Sequence, residues 1–158
     1  MTDPAVREPT PAPTAGRTRL GSYAIVLDRA DRILLCRLAS NEPEPGAWTL
    51  PGGGVDFGEH PDAAVIRELR EESGLTGAIA GLEGVFSHLY QDSPYAAGAD
   101  LHFLGVLYRV DVTGGELRDE IDGSTDRCAW FARQELADLR IVSVARDAID
   151  RVWPGTLT

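Results

Sequence analysis

A layered fold that mixes α-helices with β-strands is predicted for this chain of 158 residues. Three observations carry the prediction. Short apolar runs of strand length dominate from Leu20 onward, the segment 61–73 has helix punctuation at both ends, and a second helix can be drawn near the C-terminus. A hydrophobic content of 43% supplies one core, whereas two independent domains at this length would each be marginal.

Residues 1–18 hold Pro4, Pro9, Pro11 and Pro13 among Thr, Ala and Arg with almost no large apolar side chain. That composition predicts a disordered N-terminal arm, leaving 19–158 as a single domain. Strands are predicted over 22–27 and 33–38, joined by the turn-forming Asp28-Arg29-Ala30-Asp31. A loop over 42–46, with Pro43 and Pro45, precedes a short extended piece at 48–50. Pro61 suits a first helical position and Gly74 the residue just past a helix end, so the helix runs over 61–73. Further strands are predicted around 82–89, 101–112 and 128–131. The second of these is apolar on both faces, as a strand inside a sheet should be. Between the first two, residues 90–99 read as a mobile surface loop, with Pro94, Gly98 and several small side chains. Ser143 is the predicted N-cap of a last helix ending near Val152, with Pro154 beyond it.

The net charge of −10 excludes a surface built for nucleic-acid backbones but not a small nucleotide, which a metal ion and a few arginines can hold. All fifteen basic residues are arginine, which excludes Schiff-base lysine chemistry and any P-loop. No apolar run is long enough to span a bilayer, and the N-terminus lacks the order of a secretory signal, so a soluble, cytoplasmic protein is expected. Cys36 and Cys128 each sit in an apolar stretch without metal-binding spacing and are expected as buried, reduced thiols.

On the helix over 61–73, Glu68, Glu71 and Glu72 are spaced i, i+3 and i+4 and project from one face, while Val65, Ile66 and Leu69 occupy another arc. An isolated acidic face is ordinarily just solvated. Here the acids lie near the helix C-terminus, where the dipole disfavours anions, and Gly52 to Gly54 would let backbone approach an ion or phosphate. Hard divalent cations prefer carboxylate oxygens, so Mg²⁺ or Mn²⁺ is the natural counter-charge.

The segment 53–75, GGVDFGEHPDAAVIRELREESGL, resembles the signature box of the Nudix hydrolase family. Gly53, Glu59, Arg67, Glu68, Leu69, Glu71, Glu72, Gly74 and Leu75 fill every fixed position of that box. A chance match in one chain has a probability on the order of 10⁻⁷. The approach Trp48-Thr49-Leu50-Pro51-Gly52-Gly53-Gly54 and the tail Ala129-Trp130-Phe131 with Glu135-Leu136 are also similar to the family, so the resemblance runs from about residue 20 to 155.

The resemblance implies an α/β/α sandwich around a central mixed sheet and Mg²⁺-dependent hydrolysis of a pyrophosphate linkage in a small-molecule nucleotide substrate. It implies Glu68 and Glu72 as principal metal ligands, with Glu71 binding directly or through water and the Gly52 carbonyl completing the site. Glu68 is also the base in some members. Arg67 would orient a neighbouring carboxylate, Gly53 would have a supporting role, and Glu59 would support the loop or the outer metal shell rather than touch substrate. Relatives often recruit one more acid after the box, for which Glu120, Asp122 and Asp126 are candidates and Glu120 is preferred. Arg127 stands where relatives often carry Glu, a departure that leaves this acid open. Dimers are common in the family, so a homodimer is the oligomer to look for.

Substrate contacts are not identified by the sequence. Trp48, Phe86, His88, Tyr90, Tyr95 and His102 are the aromatic candidates, although core or rim packing is the ordinary role of each, and the two histidines fall on apolar strand stretches. ADP-ribose or nucleotide-sugar compounds are the favoured substrates. Oxidised nucleoside triphosphates and dinucleoside polyphosphates are alternatives, as is a nucleotide-sensing domain that does not cut its ligand.

Overall fold

The computed structural model describes residues 16–157. Seven strands and two helices follow one another as β1 (Gly16–Ile25), β2 (Ile33–Leu38), β3 (Trp48–Thr49), β4 (Gly52–Gly54), α1 (Pro61–Ser73), β5 (Leu75–Tyr90), β6 (Asp100–Gly115), β7 (Thr125–Phe131) and α2 (Ser143–Val152). Short 3₁₀ turns occupy Pro94–Ala96 and Arg133–Asp138.

The strands form a four-stranded sheet in the order β4-β1-β6-β5 and a three-stranded sheet in the order β3-β2-β7. In the larger sheet β1 and β6 pair in parallel while β1–β4 and β5–β6 pair antiparallel, so that sheet is mixed. The strand over 101–112 does lie inside the sheet, between β1 and β5, but it is buried only in part, with His102, Asp111 and Val112 exposed. The turn after β1 also stands where its residues predict. Asp28 accepts hydrogen bonds from the N–H groups of Ala30 and Arg32, both at 2.9 Å, and Asp31 adopts a left-handed φ of 57°.

Side-chain alternation divides the core into two layers. Ala24, Val26, Leu34 and Cys36 point to one side and pack with Val65 and Leu69 of α1 and with Tyr108 and Val110. Their sequence neighbours Tyr23, Ile25, Ile33 and Leu35 point to the other side, against Val144, Ala145, Ala148 and Ile149 of α2. Strands sandwiched between α1 and α2 are the α/β/α arrangement. Each fully buried Leu or Val in these layers contributes about 1.5 to 3 kcal/mol over leaving it exposed.

Helix α1 has the predicted bounds. His60 caps its start by accepting from the Asp62 N–H at 3.2 Å, and Gly74 ends it in the left-handed region, with φ 75° and its N–H bonded to the Arg70 carbonyl. Other expectations need correction. Ser143 is the first helical residue of α2 rather than its cap, because the Val142 N–H is bonded to the Trp48 carbonyl and that residue stays extended. Strand β1 begins at Gly16, so residues 16–18 of the expected arm are paired with β6, and the rest of that arm lies outside the described residues. The loop after β5 is pinned by buried Ser93 and Ala96.

The cysteines are joined by a disulfide rather than reduced. Cys36 and Cys128 face each other in the antiparallel register of β2 and β7, with Cα atoms 4.1 Å apart. That adjacency arises from strand pairing across 92 residues and leaves no mark on local sequence. Among the described residues, no helix is long and apolar enough to cross a membrane.

Candidate active site

Helix α1 lies across β1 and β4, which sets its acidic face against the glycine strand. Glu72 is 1% exposed and accepts a hydrogen bond from the Gly52 N–H at 2.9 Å. Burial pushes its carboxyl well above the usual range, and the charges of Glu68, Glu120 and Glu71 push it the same way against that one bond. Glu68 is shifted upward too, by burial first, with Arg67 opposing. Glu71 is half exposed.

Arg67 is the hub. Its Nε and Nη2 bond to the two oxygens of Glu59 at 2.8 and 2.9 Å, and Nη1 reaches Glu68 Oε1 at 2.9 Å and Glu71 Oε2 at 3.2 Å. Nη2 also donates to the Gly54 carbonyl at 3.2 Å. Glu59 accepts in addition from the Asp56 N–H at 3.0 Å, so the loop before α1 and the carboxylates on it share one guanidinium. Arg67 holds the Glu59 carboxyl down to about 2.

Gly52 is sterically required: at φ 149° a side chain there would collide with the Ser22 carbonyl, whereas a Cβ on Gly53 would lie 2.7 Å from Glu68 Oε1, the end of a side chain that can move. Beyond the box, Glu120 accepts from the Thr125 hydroxyl at 2.9 Å and from the Thr125 N–H at 3.2 Å, and both Glu68 and Glu72 feel its charge. Asp126 instead pairs with Arg37 at 2.7 Å, and Asp122 sits in a left-handed turn at φ 58°.

Among the described residues, no three acidic, histidine or cysteine side chains converge on a common point. Gly52 draws Glu72 one way while Arg67 draws Glu68 and Glu71 another. The donor set nevertheless fits a hard divalent cation. It is all oxygen, it crowds four carboxylate charges, and it is flanked by a cradle at Gly53 that any Cβ would fill.

A cavity of about 400 Å³ opens beside Gly52, Gly53 and Glu72. Its walls are largely apolar, from Tyr23, Tyr90, Tyr95, Leu101, Phe103 and Val144, with Arg19, Glu42 and Glu44 as charged groups near them. The Tyr95 hydroxyl donates to Glu44 Oε2 at 3.3 Å, joining the loop after β5 to the loop after β2.

The aromatic candidates separate accordingly. Tyr90 and Tyr95 line the cavity, whereas Trp48 and Phe86 are core residues, Trp48 packed edge-on against Phe131 with centroids 4.7 Å apart. His88 is exposed beside Tyr90, and exposed His102 meets the Ser87 hydroxyl at 3.0 Å, so neither is a buried structural histidine. Arg19, Tyr23, Glu42 and Glu44 escaped sequence reasoning. The alternation of Arg19 and Tyr23 along β1 is a signal that could have found two of them, since both fall on one strand face.

The model of the NUDIX domain matches residues 17–152. An ADP-ribose pyrophosphatase of Methanocaldococcus jannaschii is 37% identical over 93 residues, covering 59% of this chain and 51% of the relative. Diphosphoinositol polyphosphate phosphohydrolase 3-alpha of Mus musculus is 36% identical over 74 residues, covering 47% of this chain and 43% of the relative. This chain thus spans about half the length of both. Among solved structures, a MutT NUDIX hydrolase from Burkholderia pseudomallei superimposes with a TM-score of 0.71 at 31% identity, covering 86% of this chain and 98% of that one.

Proposed function

The chain belongs to the Nudix hydrolase family, and from that premise we propose that it hydrolyses the pyrophosphate linkage of a nucleoside diphosphate derivative, with ADP-ribose-type compounds favoured. The observation that carries this reading is the 400 Å³ cavity running from the buried acid Glu72 to aromatic walls, a size and lining suited to a nucleoside. Its charge argues the same way. Arg19 is the one cation lining it among the described residues, against the carboxylates of Glu42, Glu44 and Glu72. A diphosphoinositol polyphosphate carries phosphates around its ring and calls for a cluster of cations, so the chemistry named for the mouse relative does not suit this cavity.

Glu68 and Glu72 would hold a divalent cation, Mg²⁺ or Mn²⁺, with Glu71 and Glu120 beside them and the Gly52 carbonyl as a further oxygen donor. When bound, the cation supplies neutralisation of the diphosphate oxygens and acidification of water. Arg67 fixes Oε1 of Glu68, which leaves Oε2 to take the proton of the attacking water. Water adds to one phosphorus, the P–O bond to the bridging oxygen breaks, and two phosphate monoesters leave. Tyr23 and the apolar walls shield the organic half of the substrate from solvent.

The experiment is a panel of ADP-ribose, nucleotide sugars, oxidised deoxynucleoside triphosphates and dinucleoside polyphosphates with Mg²⁺, reading released mononucleotide. Turnover of the nucleoside diphosphate derivatives that stops with EDTA is expected. Turnover that survives EDTA, or tight binding with no turnover of any compound, would overturn the reading.

A further inference from the structure

The polar geometry of the cavity has a direction. At its inner end stand Glu72, Gly52 and Gly53, and Gly53 abuts the Glu68 carboxylate. Strand β1 runs outward from there, pairing Gly21 with Gly54 and Tyr23 with Gly52. Two residues further out on the same strand face is Arg19. Its Nη2 lies 3.7 Å from where a Cβ on Gly54 would stand, so the guanidinium sits at the end of the glycine strand, close to the acid cluster but outside it. At the cavity mouth Tyr95 and Glu44 meet across two loops, and the charge of Arg19 reaches both Tyr23 and Tyr95.

Among the described residues, no carboxylate lies within ion-pair distance of Arg19; several other arginines, such as Arg17, Arg29 and Arg127, also lack an acidic partner, but Arg19 is the one that lines the cavity. A guanidinium without a partner on a chain of net charge −10 faces an acidic surrounding, yet here it borders a cavity where a phosphate must sit if the proposed activity holds. Its planar fork matches two phosphate oxygens at once.

We propose that Arg19 is the phosphate anchor of the substrate: it binds the phosphate that stays on the nucleoside and so decides which half of the molecule enters the cavity. This inference rests on the proposed hydrolysis of a nucleoside diphosphate derivative. With one phosphate over Arg19, the second falls toward Glu68 and Glu72, and the organic group lies outward against Tyr95 and Glu44. Arg19 is a positioning residue, since the bond-breaking groups are on α1. A simple structural role is a weak rival, because the side chain is exposed and bonds to nothing else described.

The test compares AMP with adenosine as probes, titrated calorimetrically into the metal-free full chain, for the wild type, Arg19→Gln and Arg19→Lys, with thermal melts as a folding control. The wild type is expected to bind AMP more tightly than adenosine, and Arg19→Gln to lose roughly 10- to 100-fold of AMP affinity while adenosine affinity is unchanged. Arg19→Lys keeps the charge without the fork and should fall between. In ADP-ribose hydrolysis with Mg²⁺, Arg19→Gln should raise KM by a similar factor and leave kcat within about 3-fold, the pattern of lost ground-state binding. An unchanged AMP preference in Arg19→Gln, no AMP preference in the wild type, or a fall in kcat alone would overturn the anchor. Failure of the wild type to hydrolyse any panel compound, with the AMP preference intact and dependent on Arg19, would instead overturn the hydrolase reading and keep the anchor.

Discussion

The backbone N–H of Gly52 and the carboxylate of Glu72, twenty residues apart, meet at 2.9 Å in the interior of the protein. This single bond is the favourable contact set against burial and three neighbouring acids that all disfavour the charge of Glu72. A buried, crowded carboxylate costs stability, so it is held for a purpose other than the fold. Replacing it by its neutral isostere separates the two roles. Glu72→Gln keeps an oxygen for the Gly52 N–H and removes the repulsion, so the metal-free protein should melt at the same or a higher temperature than the wild type. Activity should fall by at least ~100-fold with the loss of a charge from the proposed metal ligand. Parallel melts and turnover assays check this, and a Glu72→Gln enzyme that melts far lower or works normally contradicts it.

The same crowding predicts that a divalent cation stabilises the wild type. At a Mg²⁺ concentration about 100 times its dissociation constant, the gain is ~2.7 kcal/mol, and EDTA should reverse it. Glu72→Gln should show little of the gain. Melting curves with and without Mg²⁺ decide, and equal shifts in both proteins would mean that the ion binds elsewhere.

Gly53→Ala places a methyl group 2.7 Å from Glu68 Oε1, on a flexible side chain that can give way. Stability should therefore change little, while Glu68 is driven from its place beside Arg67. Activity is expected to fall ~10- to 100-fold, since small misplacements of reacting groups are costly. Steady-state kinetics with a matched melt checks it.

Much of this centre was legible in the sequence because it is local. The helix bounds, the face shared by Glu68, Glu71 and Glu72, and a carboxylate partner for Arg67 all lie within one segment, where spacing translates directly into geometry, although that Glu59 is the principal partner came from the structure. What was not legible comes from strand pairing. Cys36 meets Cys128 only because β2 pairs with β7, and while alternation along β1 puts Arg19 and Tyr23 on one face, only the pairing of β1 with β4 brings that face to the cavity. The position of Glu120 is intermediate: it was one of three acids on a loop, and its bonds to Thr125 set it apart from Asp122 and Asp126.

Glu59 offers a pH test. Arg67 holds its carboxyl at about 2 against an ordinary 4.5. A carboxyl lowered in the folded state stabilises fully above its unfolded value, and that contribution is lost as pH falls toward the folded one. The melting-temperature gap between the wild type and Glu59→Gln should thus be full and flat above about pH 5 and shrink between 4.5 and about 2. Melts across that range check the sign, and a gap that grows on acidification would contradict the pairing.

The disulfide ties β2 to β7 beneath the acidic helix, and Cys128 Sγ touches the Glu72 carbonyl at 3.2 Å. A link spanning 92 residues restricts the unfolded chain, and the loop-closure relation puts its contribution at about 4 to 5 kcal/mol as an upper value. Reduction by a dithiol should therefore lower the melting temperature by roughly 10 °C. The Cys36→Ala, Cys128→Ala double variant should fall further, because it also removes two buried sulfurs from the α1 layer. Since the bond acts mainly on the unfolded chain, kcat below the melting transition should stay close to that of the oxidised protein. Intact mass identifies the redox state, and melts of the oxidised, reduced and double-variant proteins read the effect. Equal melting of the oxidised and reduced forms would show that the bond contributes nothing to stability, and a collapse of kcat on reduction would instead place the control of Glu72 in that sulfur contact.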